Sequence, residues 1–258
     1  MAGKRRASTP PLPPDINVYV LGDTWTEAEL TYLAPIFAAI NAAAEQIRDQ
    51  CMKSIRQHDI SVTPTRTGDG VVCGKDCAIG TYAGIYIGVV HKKKRFHDKY
   101  GYSIDLPPIR LSDGTLVPAV LCGHEHRRMQ GNASMFNSAC VNNNSDYLFQ
   151  DIIIYKNLEA RWKVQRLLDR PGSIVPNDLL DTASEVLFSY AVVVVITNVE
   201  VSAGKELRVS YNRGDSGYFS TRKMALTSCK KGEIVAKCMC EEGGCPLNHY
   251  FVTARGSK

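Results

Sequence analysis

The stretch that decides the fold is Cys238-Met239-Cys240-Glu241-Glu242-Gly243-Gly244-Cys245, near the C-terminus. Its three cysteines occur within eight residues, and the two glycines would let the backbone turn between them. Structural zinc takes four nitrogen or sulfur ligands in a tetrahedron, so this spacing predicts a zinc site that needs one further ligand. His249 is the nearest candidate, whereas Cys140, Cys229 or another distant thiol would complete a site of four cysteines.

The composition is that of a globular protein. The 258 residues include 31 Lys and Arg against 26 Asp and Glu, a net charge of +5, with 44% hydrophobic and 22% charged residues. These values exclude a chain that is disordered, collagen-like or coiled-coil throughout. The mild positive charge is compatible with an acidic partner but falls short of a dedicated DNA-binding domain.

Neither a membrane span nor export is expected. The longest uncharged apolar stretch, Val186 to Val199, is too short to cross a bilayer, and its β-branched residues favour a buried strand. Residues 1–15 are rich in proline, begin with a basic segment and contain no apolar core of a signal peptide, which predicts a disordered tail. The nine cysteines are therefore expected to be free thiols or metal ligands. Lys4-Arg5-Arg6 is compatible with nuclear import, with a cytoplasmic location as the alternative.

An amphipathic helix is predicted after the tail, as a packing element beside the main domain. Pro35 is expected in its first turn, and Thr24 to Glu27 is predicted to form a capping box for a short preceding turn. The apolar residues that recur at helical spacing are Leu33, Phe37, Ile40, Ala44, Ile47 and Cys51.

From about Ser61 the sequence changes to short β-type runs separated by glycines. Residues 156–187 interrupt this pattern, with helical periodicity around Trp162 and again from Leu179 to Leu187. The sequence thus predicts a mostly β fold with helical additions, in which a helical insertion separates two strands. The predicted strands are Gly70–Cys73, Tyr82–Val90, Tyr102–Leu106, Gln150–Tyr155, Ala191–Val195 and Leu207–Tyr211.

The C-x-C-x4-C pattern resembles the post-SET segment of the SET-domain protein lysine methyltransferases. Five further segments resemble motifs of that family and occur in its order. They are Thr67–Val72 (the G-x-G segment), Gly80–Tyr82 with Tyr86–Gly88 (a strand pair), Tyr102–Leu106 with Asp113-Gly114, Gly131-Asn132 leading to Asn137–Asn143 (the N-H-S-C-x-P-N motif), and Gly204–Tyr211 (the G-E-E-L-x-x-D-Y motif).

The resemblance implies a SET-domain, β-clip-like fold of short strands. It divides the chain into a tail (1–15), a flanking helical region (16–60), a SET domain (61–219) with the insertion at 156–187, and a zinc-stapled post-SET segment (220–258). It also implies the fourth zinc ligand, since the family's N-H-S-C cysteine joins the three C-terminal ones. The implied zinc ligands are Cys140, Cys238, Cys240 and Cys245.

The activity that the resemblance implies is methyl transfer from S-adenosyl-L-methionine to a neutral lysine, with a histone tail in the nucleus as the expected substrate. Tyr211 and Tyr102 are the implied catalytic residues, and Tyr218 and Phe219 would line the lysine channel. The residues implied to bind the methyl donor are Gly68, Asp69, Gly70, Val71, Tyr102, Asn137, Ser138 and Tyr211.

Several positions depart from the family's pattern. Ser138, Asn142 and Ser210 replace its His, Pro and Asp, and Ile85 and Val89 replace the acidic residues that flank its Y-x-G. A catalytically inactive interaction module is therefore the alternative, and a zinc-stapled nucleic-acid binder is a third reading. The basic run Lys92 to Arg95 would make at most a weak nucleosome or DNA contact. Cys73 with Cys77, and Cys122 with His124 and His126, leave a second metal site open as a minor alternative.

Overall fold

The computed structural model describes residues 16–65, 68–97, 102–127, 129–138, 143–170, 172 and 174–209. Within these ranges the fold is mostly β with helical additions, which confirms the predicted class. The α-helices are α1 (Glu27–Gln57), α2 (Leu158–Leu168) and α3 (Asn177–Ser184). The strands are β1 (Tyr19–Leu21), β2 (Ile60–Thr65), β3 (Gly68–Cys73), β4 (Tyr82–Ile85), β5 (Gly88–Lys92), β6 (Ser103–Arg110), β7 (Leu116–Cys122), β8 (Asn137–Ser138), β9 (Ser145–Tyr155), β10 (Val186–Thr197) and β11 (Glu206–Val209). Two 3-10 helices, Lys93–Arg95 and Ala133–Met135, complete the described elements.

The strands form three sheets, whose orders are β1-β5-β7-β6, β4-β10-β9 and β2-β3-β11-β8. Two strand pairs are parallel, β1 with β5 and β8 with β11, and the other pairs in these sheets are antiparallel. The run predicted as one strand from Tyr82 to Val90 is divided, because β4 and β5 belong to different sheets. The change of sheet occurs where Gly88 passes so close to the backbone of Cys122 that a Cβ would lie 2.2 Å from the Cys122 oxygen.

The predicted amphipathic helix is confirmed as α1, and the six apolar residues that predicted it are all buried. Two expectations about its start were wrong. The helix begins earlier than predicted, so Pro35 lies inside it, and the capping box is formed by Thr26 and Glu29 of this same helix. The Thr24–Glu27 pattern has the same spacing, but Thr26 is the residue whose extended backbone precedes the first helical turn.

Helix α1 belongs to the central core, where it contacts strands from all three sheets. Tyr19, Phe37 and Tyr190 pack edge to face there, with ring centroids 5.8 to 6.3 Å apart. The Tyr19 hydroxyl donates to the Ala191 carbonyl at 2.8 Å, and burial raises the pKa of Tyr19 well above its usual range. This aromatic group therefore joins β1, α1 and β10.

The helical insertion is confirmed between β9 and β10, where α2 and α3 pack against each other. Its second helix is shorter than predicted, because the chain leaves the helix after Ser184 and enters β10 at Val186. The β-branched and aromatic residues that follow favour strand pairing over a further helical turn. No helix in the described ranges combines the length and apolar character needed to cross a membrane.

Candidate functional site

Three segments that resemble family motifs are adjacent in one sheet, although they are widely separated in the sequence. Strand β3 carries the G-x-G segment, and β11 carries the start of the Gly204–Tyr211 motif. These two strands are antiparallel, with Leu207 opposite Val71 and Glu206 opposite Val72. On its other side β11 runs parallel to β8, the start of the asparagine motif. The structure therefore brings together Gly68, Asp69, Gly70, Val71, Asn137 and Ser138.

The directions of these strands define one end of the sheet. Because β11 is antiparallel to β3, its C-terminal end points toward the Gly68 end of β3. The parallel pairing sets Arg208 opposite Asn137 and Val209 opposite Ser138. Strand β11 thus ends, at Val209, between the glycine-containing strand β3 and the asparagine strand β8.

Asn144 fixes β11 in this position. Its side-chain amide donates to the Glu206 carbonyl at 2.9 Å, and its side-chain oxygen accepts from the Arg208 N–H at 2.7 Å. The Asn144 N–H also donates to the Arg208 carbonyl at 3.1 Å. A single residue therefore satisfies backbone groups that β11 would otherwise leave unpaired along this stretch.

Asn132 shapes the approach to β8. It is 1% exposed, and its amide donates to the carbonyls of Ile87 and His126 at 3.1 and 3.0 Å. Its side-chain oxygen accepts from the Ser134 N–H at 3.0 Å, which caps the short 3-10 helix Ala133–Met135. The side chain of this motif residue is thus used to hold the turn that leads into β8.

Tyr102 lies just before β6, in a different sheet from β3, β8 and β11. Its carbonyl accepts hydrogen bonds from the Tyr86 hydroxyl at 2.6 Å and from the Gly123 N–H at 2.8 Å. Gly123 in turn packs tightly on Ser134, where a Cβ would lie 2.6 Å from that side chain. Tyr102 is therefore connected through Gly123 to the segment that leads into β8.

The ring of Tyr102 is half-buried and has polar neighbours. The His124 ring lies 5.5 Å from it, centroid to centroid, and the Arg127 guanidinium lies 5.9 Å from its centroid. The Arg127 side chain also donates to the His124 carbonyl at 2.7 Å, which holds it over the tyrosine. An aromatic face, an imidazole and a cation thus share one surface.

The minor alternative of a second metal site gains no support from the part of the chain that the structure describes. No group of three or more His, Cys, Asp or Glu side chains that could hold a metal occurs there. Burial, together with the neighbouring Cys73 thiol, raises the pKa of the Cys77 thiol to about 12. A metal ligand or nucleophile must be the thiolate, so the Cys77 thiol is suited to packing instead.

Sequence reasoning missed two contributions to this region. Asn144 adjoins the asparagine motif, and a run of three asparagines at 142–144 was the signal that could have identified it. Arg127 lies three residues after His124, in a segment whose sequence offers only a possible metal site. The partners of Asn144 and Arg127 lie far away in the sequence, so a local pattern does not specify which groups they contact.

Several predicted site residues lie outside the described ranges, so their placement stays a prediction. They are Tyr211, Tyr218 and Phe219, and the four zinc ligands Cys140, Cys238, Cys240 and Cys245. The side chains of Asn137 and Ser138 are likewise not described, although their strand is.

No protein-family model matches the chain, and no curated protein matches it. Among solved structures, the chain is similar to KRYPTONITE in complex with mCHG DNA and SAH, at 17% identity and a TM-score of 0.39, over 72% of this chain and 28% of that chain. It is similar to the ATXR5 SET domain in complex with a histone H3 di-methylated on an arginine, at 14% identity and a TM-score of 0.38, over 65% of each chain.

A third similar structure is the methyltransferase domain of human PR domain-containing protein 2. The identity is 16% and the TM-score 0.36, over 62% of this chain and 82% of that chain. The chain spans just over a quarter of the KRYPTONITE chain that it matches. The solved structures that this chain is similar to thus include a SET domain and a methyltransferase domain, and the SET-domain methyltransferases are the family that its sequence motifs resemble.

Proposed function

We propose that the chain is an S-adenosyl-L-methionine-dependent protein-lysine N-methyltransferase. The observation that carries this proposal is the adjacency of β3, β11 and β8. Three segments that resemble motifs of one enzyme family meet there, from parts of the chain that no local interaction links. A resemblance that arose by chance would have no reason to converge in one sheet.

The groups at this end of the sheet, together with Tyr102 beside another sheet, would suit the methyl donor. S-adenosyl-L-methionine carries a carboxylate, an ammonium group and a purine, and when bound it supplies an electrophilic methyl group. Gly68 and Gly70 leave the β3 backbone open to close approach, because glycine has no Cβ. The side chain of Asn137 would offer both a hydrogen-bond donor and a hydrogen-bond acceptor. The ring of Tyr102, with Arg127 beside it, offers an aromatic face and a cation for an anionic group.

The other residues of the proposed site would bind and orient the substrate lysine. The attacking amine must be neutral, and a desolvated channel lowers the pKa of a lysine because burial disfavours the charged form. We assign Tyr218 and Phe219 to that channel. The Tyr211 hydroxyl would orient the amine and offer an oxygen contact to the methyl group. Holding the methyl donor and the lysine in one geometry would supply much of the rate acceleration over the reaction in solution.

A structural zinc ion completes the proposal. We assign its ligands to Cys140, Cys238, Cys240 and Cys245, following the family resemblance. The ion would join the C-terminal segment to the asparagine motif that begins at β8, and so bring Tyr218 and Phe219 toward the donor site. The metal would contribute folding energy to a segment that is short for a core of its own.

The proposed substrate is a histone lysine, with the nucleus as the place of action. The basic run Lys92 to Arg95 would add only weak contact with DNA. Lys92 is bound to Glu29 and Lys93 lies 2.6 Å from Asp105, so Lys94 and Arg95 are the residues of this run without an ion pair in the described part of the chain. Two cations supply little phosphate affinity.

The test is transfer of a tritiated methyl group to purified histones and to a whole-proteome extract. The wild type should label a histone, and Tyr211→Phe should reduce the rate by about 100-fold or more. Tyr155→Phe is the matched control, because it keeps the ring on which Arg161 stacks at 3.5 Å. Its rate should equal that of the wild type. If no protein is labelled while the methyl donor still binds, the enzymatic proposal is wrong.

The second candidate is a catalytically inactive module that binds a peptide or a partner. The departures at Ser138, Asn142 and Ser210 favour it, since they change side chains within two of the motifs. Titration calorimetry with S-adenosyl-L-methionine separates the two candidates. A chain that does not bind the donor is the module, whereas measurable binding supports the enzyme.

A further inference from the structure

The helical insertion exposes large apolar side chains. Trp162 and Leu168 on α2 are 65% and 62% exposed, Leu180 on α3 is 40% exposed, and Ile174 between the helices is 87% exposed. Single exposed apolar residues are common, but here four occur within one small helical pair. Exposed apolar residues at this density are typical of an interaction surface.

The same two helices carry exposed charges of opposite sign. Lys163 and Arg166 are three residues apart on one face of α2, and Arg170 follows two residues after the helix ends at Leu168. On α3, Asp178 and Asp181 are three residues apart, also on one face. We call these the basic stripe and the acidic stripe.

The stripes do not pair with each other within the chain. Arg166, Arg170, Asp178 and Asp181 are exposed and take part in none of the ion pairs among the described residues. Lys163 is bound to Glu159 of its own helix at 2.8 Å. Arg166 and Arg170 at α2 and Asp178 and Asp181 on α3 are therefore opposite charges that form no ion pair with each other.

This arrangement is self-complementary, which is what a two-fold interface requires. In such a dimer one patch contacts the same patch of the other copy, so that α2 can lie against α3 twice. A nucleic acid would fit less well, because the acidic stripe beside the basic stripe would repel phosphates. The apolar residues would form the centre of the interface, with the charges around them.

We propose that the insertion binds a second copy of this chain across a two-fold axis, with each basic stripe against the acidic stripe of the other copy. The proposal is independent of the methyltransferase activity.

Charge exchange tests the proposal. The acidic variant combines Arg166→Glu with Arg170→Glu, and the basic variant combines Asp178→Lys with Asp181→Lys. The mass of the full-length chain is measured by light scattering at about 50 μM. The wild type should be a dimer, and each variant alone should be a monomer, because like charges then face each other. An equimolar mixture should restore the dimer, since the acidic helices of one variant meet the basic helices of the other.

Several results would overturn the proposal. A monomeric wild type at this concentration would do so, as would a variant that stays dimeric when alone. A mixture that remains monomeric, while each variant unfolds at the wild-type temperature, would contradict the charge pairing. A monomeric wild type that binds duplex DNA, with binding lost in the acidic variant, would assign the basic stripe to nucleic acid instead.

Discussion

At the scale of the residue, the side chain of Asn144 holds β11 in place through its backbone groups. Its amide replaces strand pairing for two backbone groups of β11, one on Glu206 and one on Arg208. We expect Asn144→Ala to lower the free energy of unfolding by about 1 to 3 kcal/mol, because a partly buried N–H and a partly buried carbonyl lose their partners. Urea denaturation measures this change.

Asn143→Ala is the matched control for that experiment. The Asn143 amide donates to the Ser145 carbonyl and to the Asp146 carboxylate, both at 3.3 Å, which are longer contacts. The loss of stability should therefore be smaller than for Asn144→Ala. Equal losses at the two positions would show that Asn144 does not hold β11 in the way described.

At the scale of the element, the start of α1 responds to pH through Glu29. Burial alone would raise the pKa of Glu29, but hydrogen bonds from Lys92 and Thr26 outweigh it and lower the pKa from 4.5 to about 2. The Lys92 ammonium lies 2.6 Å from one carboxylate oxygen, and the Thr26 N–H donates to the other at 2.8 Å. The folded state thus favours the ionised carboxylate more than the unfolded state does.

The sign of the pH dependence follows from this lowered pKa. The stabilisation is complete above about pH 4.5 and is lost as the pH falls toward 2, because the unfolded chain takes up the proton first. We expect Glu29→Gln to be less stable than the wild type at pH 6 and to lose less stability between pH 5 and pH 3. Urea titrations at these pH values test this. In a Lys92→Met background the effect of Glu29→Gln should shrink, and an unchanged effect would contradict the pairing.

Elements could be predicted where the pattern is local. The spacing of Leu33, Phe37 and Ile40 identified α1, because one face of a helix has to meet the core. Its start was misjudged, since Pro35 favours a first turn but is also accommodated within this helix. The pairing of β8 with β11 had no local signal, because it joins segments that are distant in the chain. For the same reason, the role of Asn144 emerged only from the fold.

At the scale of the whole molecule, the zinc site is expected to connect the C-terminal segment to the middle of the chain. We predict one zinc ion per chain, lost on Cys140→Ser as well as on Cys238→Ser. Elemental analysis of the purified protein measures the metal. Cys122→Ser, which changes a half-buried thiol outside the proposed set, should retain it. Zinc that persists in the Cys140 variant would refute the long-range ligand and point to His249.

We propose that one end of the sheet containing β3, β11 and β8 binds S-adenosyl-L-methionine. Hydrogen–deuterium exchange with and without saturating donor reads all three strands in one experiment. We predict slower exchange in residues 68–72, 137–138 and 206–211 and around Tyr102, with no change in the pairing of β9 and β10. Unchanged exchange in the three strands, or protection confined to the helical insertion, would contradict the proposed donor-binding site.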